Sequence, residues 1–81
     1  MPARDEVFAR SVAEELAVAR RERGWSMEQL AGEAGLHRTS VGLIERGERG
    51  VTLQVAARLA WALDLSLGDL CRAAEARAGR G

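Results

Sequence analysis

The stretch from Met27 to Arg49, MEQLAGEAGLHRTSVGLIERGER, constrains this chain more than any other. Leu30, Ala31 and Ala34 fall at i, i+1 and i+4 and make one short apolar helix face. Gly35 interrupts the run. Leu36, Val41 and Ile44 make a second apolar face, with His37, Arg38, Thr39 and Ser40 set on the other side. Helices this short are not stable alone in water. They must pack on each other and on a scaffold, which leaves the polar second helix presented rather than hidden. Ala31 is small enough for a close crossing, and Gly35 suits the left-handed backbone of a sharp turn. The spacing is that of a helix, a tight turn and a second helix over about 27–46.

The flanking sequence supplies the scaffold. Residues 1–4 are expected to be a loose tail. Asp5 and Glu6 open a first helix of about Asp5 to Arg23, where the helix dipole favours negative charge. Phe8, Val12, Leu16 and Ala19 form its core stripe, and Gly24 stops it. The run Arg20 to Arg23 is open to two readings, a phosphate patch or a solvated last turn, of which the second is commoner. Ser26 and Gln29 fit S-x-x-Q, a capping box that opens the second helix, with Trp25 packing as a staple near Leu30. The third helix spans about His37 to Arg46. Glu45 is placed to turn back towards the first helix, with Arg20 as its partner in a structural ion pair. The loop GERG, Gly47 to Gly50, carries Arg49 at its tip.

Thr52 then caps a fourth helix whose core stripe is Leu53, Ala56, Leu59, Ala60 and Leu63. Trp61 falls off that stripe, which suggests either a dimer contact or a fold-back over the last helix. Ser66 and Asp69 open a fifth helix through about Ala78, with Leu67, Leu70, Cys71 and Ala74 on its apolar face. Residues 5–78 thus form one domain, all-α with five helices, and 79–81 are expected to be a second loose tail.

Composition narrows the function. The chain has 81 residues, enough for one small domain. Hydrophobic residues make up 47% but aromatics only 4%, so the core is aliphatic. Net charge is zero, which weighs mildly against nucleic-acid binding. All 12 basic residues are Arg, from genomic bias or from a need for phosphate forks. The single Cys71 allows no internal disulfide and points to a reducing compartment. No apolar run spans a membrane, and MPARDEVFAR lacks the basic-then-apolar order of a signal peptide, so a cytoplasmic protein is expected. No His, Cys or carboxylate set has metal-ligand spacing and no catalytic set is visible, so neither metal, cofactor nor enzyme activity is expected.

The helix, turn and helix point instead to double-stranded DNA, with the second helix in the major groove. Arg38 can fork onto a guanine edge, and Thr39 can serve a base or a phosphate. Gly42 and Leu43 are expected on the exposed side with Arg46. Gly42 reflects either compositional bias or a close backbone approach. Leu43 suits a thymine methyl or a partner contact.

The motifs L-A-x-x-A-G-L and V-x-x-I-E-R-G resemble the Cro and phage-repressor-type helix-turn-helix family over about Leu16 to Leu70. Within it, L-x-R-T-x-x-x-x-I-E-R-G-x-R, Leu36 to Arg49, is similar to the controller proteins of restriction–modification systems. Met27, Ser40 and Gly50 depart from that pattern, which often has Gln, Tyr and Asn there. The resemblance implies a lambda-repressor-like fold and a homodimeric regulator on a near-palindromic operator. It implies base contacts from Arg38, Thr39 and Ser40, with His37 as a further candidate. It places Ser26, Gln29, Arg46, Arg49 and Thr52 near the DNA backbone. Trp61, Leu67 and Cys71 are the candidate dimer contacts, and RNA polymerase is a further candidate partner. A phage-type or host repressor, an antitoxin, or a protein-interaction module on the same fold are the alternatives.

Overall fold

Three helices of this chain start at a hydroxyl residue that caps them, and four stop at a left-handed turn or the bond pair that goes with it. In the computed structural model, which describes residues 1–80, five helices follow one another: α1 Arg4–Glu22, α2 Met27–Ala34, α3 Arg38–Glu45, α4 Leu53–Ala62 and α5 Leu67–Arg80. Among the described residues there is no strand. The Ser26 hydroxyl accepts the Gln29 backbone N–H at 3.1 Å, and Gln29 Oε1 accepts the Ser26 N–H at 2.7 Å, closing a capping box at the start of α2. Thr52 Oγ1 accepts from the Val55 N–H at 3.1 Å and Ser66 Oγ from the Asp69 N–H at 2.9 Å, capping α4 and α5.

The helix ends share one device. After α2 the backbone turns left-handed at Gly35, φ +71°. The Leu36 N–H donates to Ala31 O at 2.8 Å and the Gly35 N–H to Gly32 O at 3.4 Å, the paired bonds of a Schellman stop. The same pairing ends α1, α3 and α4. At the end of α4 the left-handed residue is Asp64, φ +57°, rather than a glycine.

The core joins all five helices. Val12 and Leu16 of α1 meet Leu30, Ala31 and Ala34 of α2, Val41 and Ile44 of α3, Leu59 and Ala60 of α4, and Leu70 and Ala74 of α5, with Leu63 after α4. The long α1 packs along α5, while α2 packs on both α3 and α4. Phe8, Ala19 and Trp25 are half-buried against this cluster.

One ion pair fixes the angle between α1 and α3. Arg20 Nε and Nη2 donate to the two carboxylate oxygens of Glu45 at 2.7 and 2.9 Å, and Nη1 donates to Trp25 O at 2.7 Å. Both side chains are nearly enclosed, 10% and 5% exposed. The Glu45 carboxylate raises the Arg20 pKa further above its ordinary value, against burial, which lowers it. Arg20 therefore stays charged around neutral pH.

Four details differ from the sequence reading. α1 lies one residue earlier at each end. Gly79 and Arg80, expected in a tail, continue α5, because Arg77 ties its last turns to Glu15 at 2.8 Å and Glu14 at 3.3 Å on α1; Gly81 lies outside the described residues. Leu53, expected in the α4 core, is 74% exposed, since it sits at the edge of the stripe and at the first position of the helix. Gly42, expected on the exposed side of α3, is buried under the Arg46 and Met27 side chains.

Two stability predictions follow from these contacts. Glu45→Ala leaves Arg20 charged and enclosed, so urea unfolding should show a loss of about 3–5 kcal/mol. Replacing both partners with apolar residues, Arg20→Met with Glu45→Leu, should recover most of it. Gly35→Ala puts a Cβ on a left-handed residue and should lower stability by about 1–2 kcal/mol, read as a lower thermal midpoint with no change in helix content.

Candidate nucleic-acid interface

The third helix is held from one side only. Val41 and Ile44 are 1% and 3% exposed and anchor α3 in the core. His37, Arg38 and Thr39 are exposed at its opening, and Ser40 is half-buried. His37 is the N-cap, in extended conformation, and its side chain makes no capping bond. The opening turn of α3 thus combines backbone N–H groups not capped by a side chain with a guanidinium and a hydroxyl, all reachable from outside. Such a turn suits hydrogen-bond acceptors on base edges and phosphates.

The start of α2 lies beside it. Ser26 and Gln29 spend one acceptor each on the capping box, and the Ser26 O–H and the Gln29 amide NH2 remain as donors. Both residues are exposed. Arg38 Nε stands 3.7 Å from Glu28 Oε1 in the first turn of α2, with both side chains well exposed. Arg46 pairs with Glu48, also exposed. Arg49 Nη1 donates to Ser40 Oγ at 3.2 Å, which joins the loop after α3 to the helix's opening turn. Exposed pairs of this kind are worth little, about 0–1 kcal/mol. Each arginine can therefore exchange its present partner for a phosphate at small cost.

The structure brings Ser40 and Arg49 into direct contact and sets Arg38 against α2. Thr52 caps α4 just beyond the loop and is exposed. The candidate dimer residues are placed differently. Trp61 is 65% exposed and lines a shallow groove of about 500 Å³ with Arg23, Trp25 and Arg58. The Arg23 guanidinium sits 4.5 Å from the Trp25 ring centroid and holds that ring against the core edge. Leu67 and Cys71 are half-buried on α5, with Leu67 packed on the core.

Sequence reasoning missed the carboxylates on this face. Glu48 is two residues from Arg46 and could have been paired with it from spacing alone. Glu28 is separated from Arg38 by the turn, and only the crossing of α2 and α3 brings them together. Among the described residues, no three of His, Cys, Asp or Glu converge as a metal site would require, and no helix is long and apolar enough to cross a membrane.

Comparison with known proteins agrees with this geometry. Residues 16–70 match the helix-turn-helix family. Over 45 residues the chain is 53% identical to Control protein C.SmaI of Serratia marcescens, a match covering 56% of this chain and 54% of that protein, so the chain spans about half the length of this curated relative. The crystal structure of the restriction-modification controller protein C.AhdI from Aeromonas hydrophila superposes with a TM-score of 0.72 at 39% identity, covering 82% of this chain and 96% of that one. The clp gene regulator ClgR from Corynebacterium glutamicum superposes with a TM-score of 0.83 at 21% identity, covering 89% and 77%, a likeness of fold alone. The chain belongs to the Cro/C1-type helix-turn-helix family of DNA-binding regulators and is related to the controller proteins of restriction–modification systems.

Proposed function

We propose that this protein is a homodimeric, sequence-specific transcriptional regulator of the restriction–modification controller type, acting in the cytoplasm on a near-palindromic operator. The observation that carries the reading is the one-sided anchoring of α3: Val41 and Ile44 are sunk in the core while Arg38 and Thr39 are exposed. The 39% identity to C.AhdI across nearly all of that protein's length supports the controller assignment.

In this reading α3 enters the major groove. Arg38, Thr39 and Ser40, with His37 beside them, meet base edges. Ser26, Gln29, Arg46, Arg49 and Thr52 hold the phosphates on either side and set the register. A second subunit, met through Trp61, Leu67 and Cys71, places its own α3 one turn along the duplex, about 34 Å away. RNA polymerase is the partner that a regulator so placed at a promoter would meet.

A second reading has two observations in its favour. Trp61 and Leu53 are large, apolar and exposed on α4, and the chain carries no net charge, as suits a module that docks on another protein. A mobility-shift assay at low salt separates the two. Retardation of genomic fragments, with one fragment preferred, supports the regulator, and no retardation of any duplex supports the docking module.

Two substitutions divide base reading from backbone holding. Arg38→Ala should cost about 1–3 kcal/mol on the preferred fragment and relax selection at one base position, measured by binding to randomised duplexes. An equal loss on every sequence would make Arg38 a phosphate contact only. Arg49→Ala should weaken binding to all duplexes and reduce the slope of log affinity against log salt by about one.

A further inference from the structure

Gly42 is buried, although it is a glycine in the interior of the eight-residue α3. Two long side chains cover it. A Cβ built on Gly42 would lie 3.0 Å from Arg46 Nη1, 3.8 Å from Arg46 Cζ and 3.6 Å from Met27 Sδ. The Arg46 guanidinium therefore lies close enough that a Cβ at position 42 would push its tip aside by a few tenths of an ångström, and a longer side chain would displace it. It comes back over the residue one turn before its own Cα, and the Met27 side chain of α2 approaches the same position. Glu48 holds the Nε edge of the same guanidinium.

Glycine in a helix interior is costly, because the backbone is freer when unfolded and no side chain packs. In an eight-residue helix that must be held at a defined angle, the cost is felt. Alanine would be the better helix former there. The structure offers one return for glycine: a seat for Arg46. Without the seat the arginine stem would extend into solvent, with its usual spread of rotamers. With it, the guanidinium rests over Gly42, and the side chain remains 55% exposed towards solvent.

We propose that Gly42 is a positioning residue for DNA binding: its missing side chain leaves the room in which the Arg46 guanidinium lies ready to grip the DNA backbone. The proposal rests on the DNA-binding reading above and deepens it. Gly42 itself touches nothing on the duplex. Its contribution reaches DNA through Arg46 alone, so the effect of filling the seat must vanish once Arg46 is gone.

The test is a cycle of four proteins, the natural chain, Gly42→Leu, Arg46→Ala and the double variant, titrated with a mixed-sequence DNA duplex over a series of salt concentrations. Gly42→Ala and thermal melting serve as controls. Gly42→Leu should weaken binding about tenfold, the size of one charge-assisted contact, and reduce the salt slope by about one. Arg46→Ala should do the same, and the double variant should bind no worse than Arg46→Ala. Gly42→Ala should raise the melting temperature while still weakening binding. Natural-level binding by Gly42→Leu, or losses that add in the double variant, would overturn the proposal. So would natural-level binding by Arg46→Ala. Failure of the natural chain to bind the duplex at all would instead overturn the DNA-binding reading on which the proposal stands.

Discussion

The structure depends on how one guanidinium is spent. Arg20 commits three nitrogens: two to Glu45 at the end of α3 and one to the carbonyl of Trp25 in the turn before α2. The Trp25 N–H returns a bond to the carbonyl of Arg20. The end of α1, the turn that follows it and the end of α3, distant from both in sequence, are thereby locked at one point. A buried pair of this kind does not add much net stability over an apolar pair, because both ions must shed water. Its consequence here is geometric. An eight-residue helix resting on Val41 and Ile44 could roll on an aliphatic surface, and a two-pronged bond at its far end removes that freedom. No buried side-chain polar atom among the described residues is left without a partner, so the interior holds no competing demand on this pair.

The surface follows the opposite rule. Arg38 and Arg46 each face a carboxylate, Glu28 and Glu48, but both partners are in water. Such pairs orient a side chain without holding it firmly. This also makes sense of the zero net charge. Arg38 and Arg46 each have an acidic neighbour on this face, so under the proposed function attraction to a duplex would depend on these arginines leaving their carboxylates for correctly spaced phosphates. A uniformly basic face would bind any sequence. Under the proposed function, a mixed face would limit non-specific attraction and leave discrimination to the opening turn of α3.

Much of this was legible in the chain, for identifiable reasons. The helix, turn and helix could be read because Leu30, Ala31, Ala34, Val41 and Ile44 keep helical spacing on either side of Gly35, and short helices admit few alternatives. Glu45 could be matched to Arg20 because a carboxylate next to a core position needs a buried cation. The caps at Ser26, Thr52 and Ser66 were visible because hydroxyl residues there precede helical runs. What was not legible depended on the third dimension. Leu53 fits the α4 stripe by spacing, yet no element covers the start of that helix. Gly42 looked exposed on a helical wheel, which takes no account of a side chain from one turn later folding back over it. The Arg38–Glu28 pair exists only because α2 and α3 cross, and the extra turns of α5 depend on Arg77 reaching α1.

The claim beneath all of this is that α3 is clamped from inside while its opening turn is free to engage a duplex. The most direct measurement is a nuclear magnetic resonance titration of the whole protein with DNA, following backbone amides together with the Arg20 Nε–H. The account predicts that the largest changes fall on Arg38, Thr39 and Ser40 and on the start of α2, while the Arg20 Nε–H stays slow to exchange and unshifted. Movement of the Arg20 signal with an unchanged opening turn of α3 would contradict it.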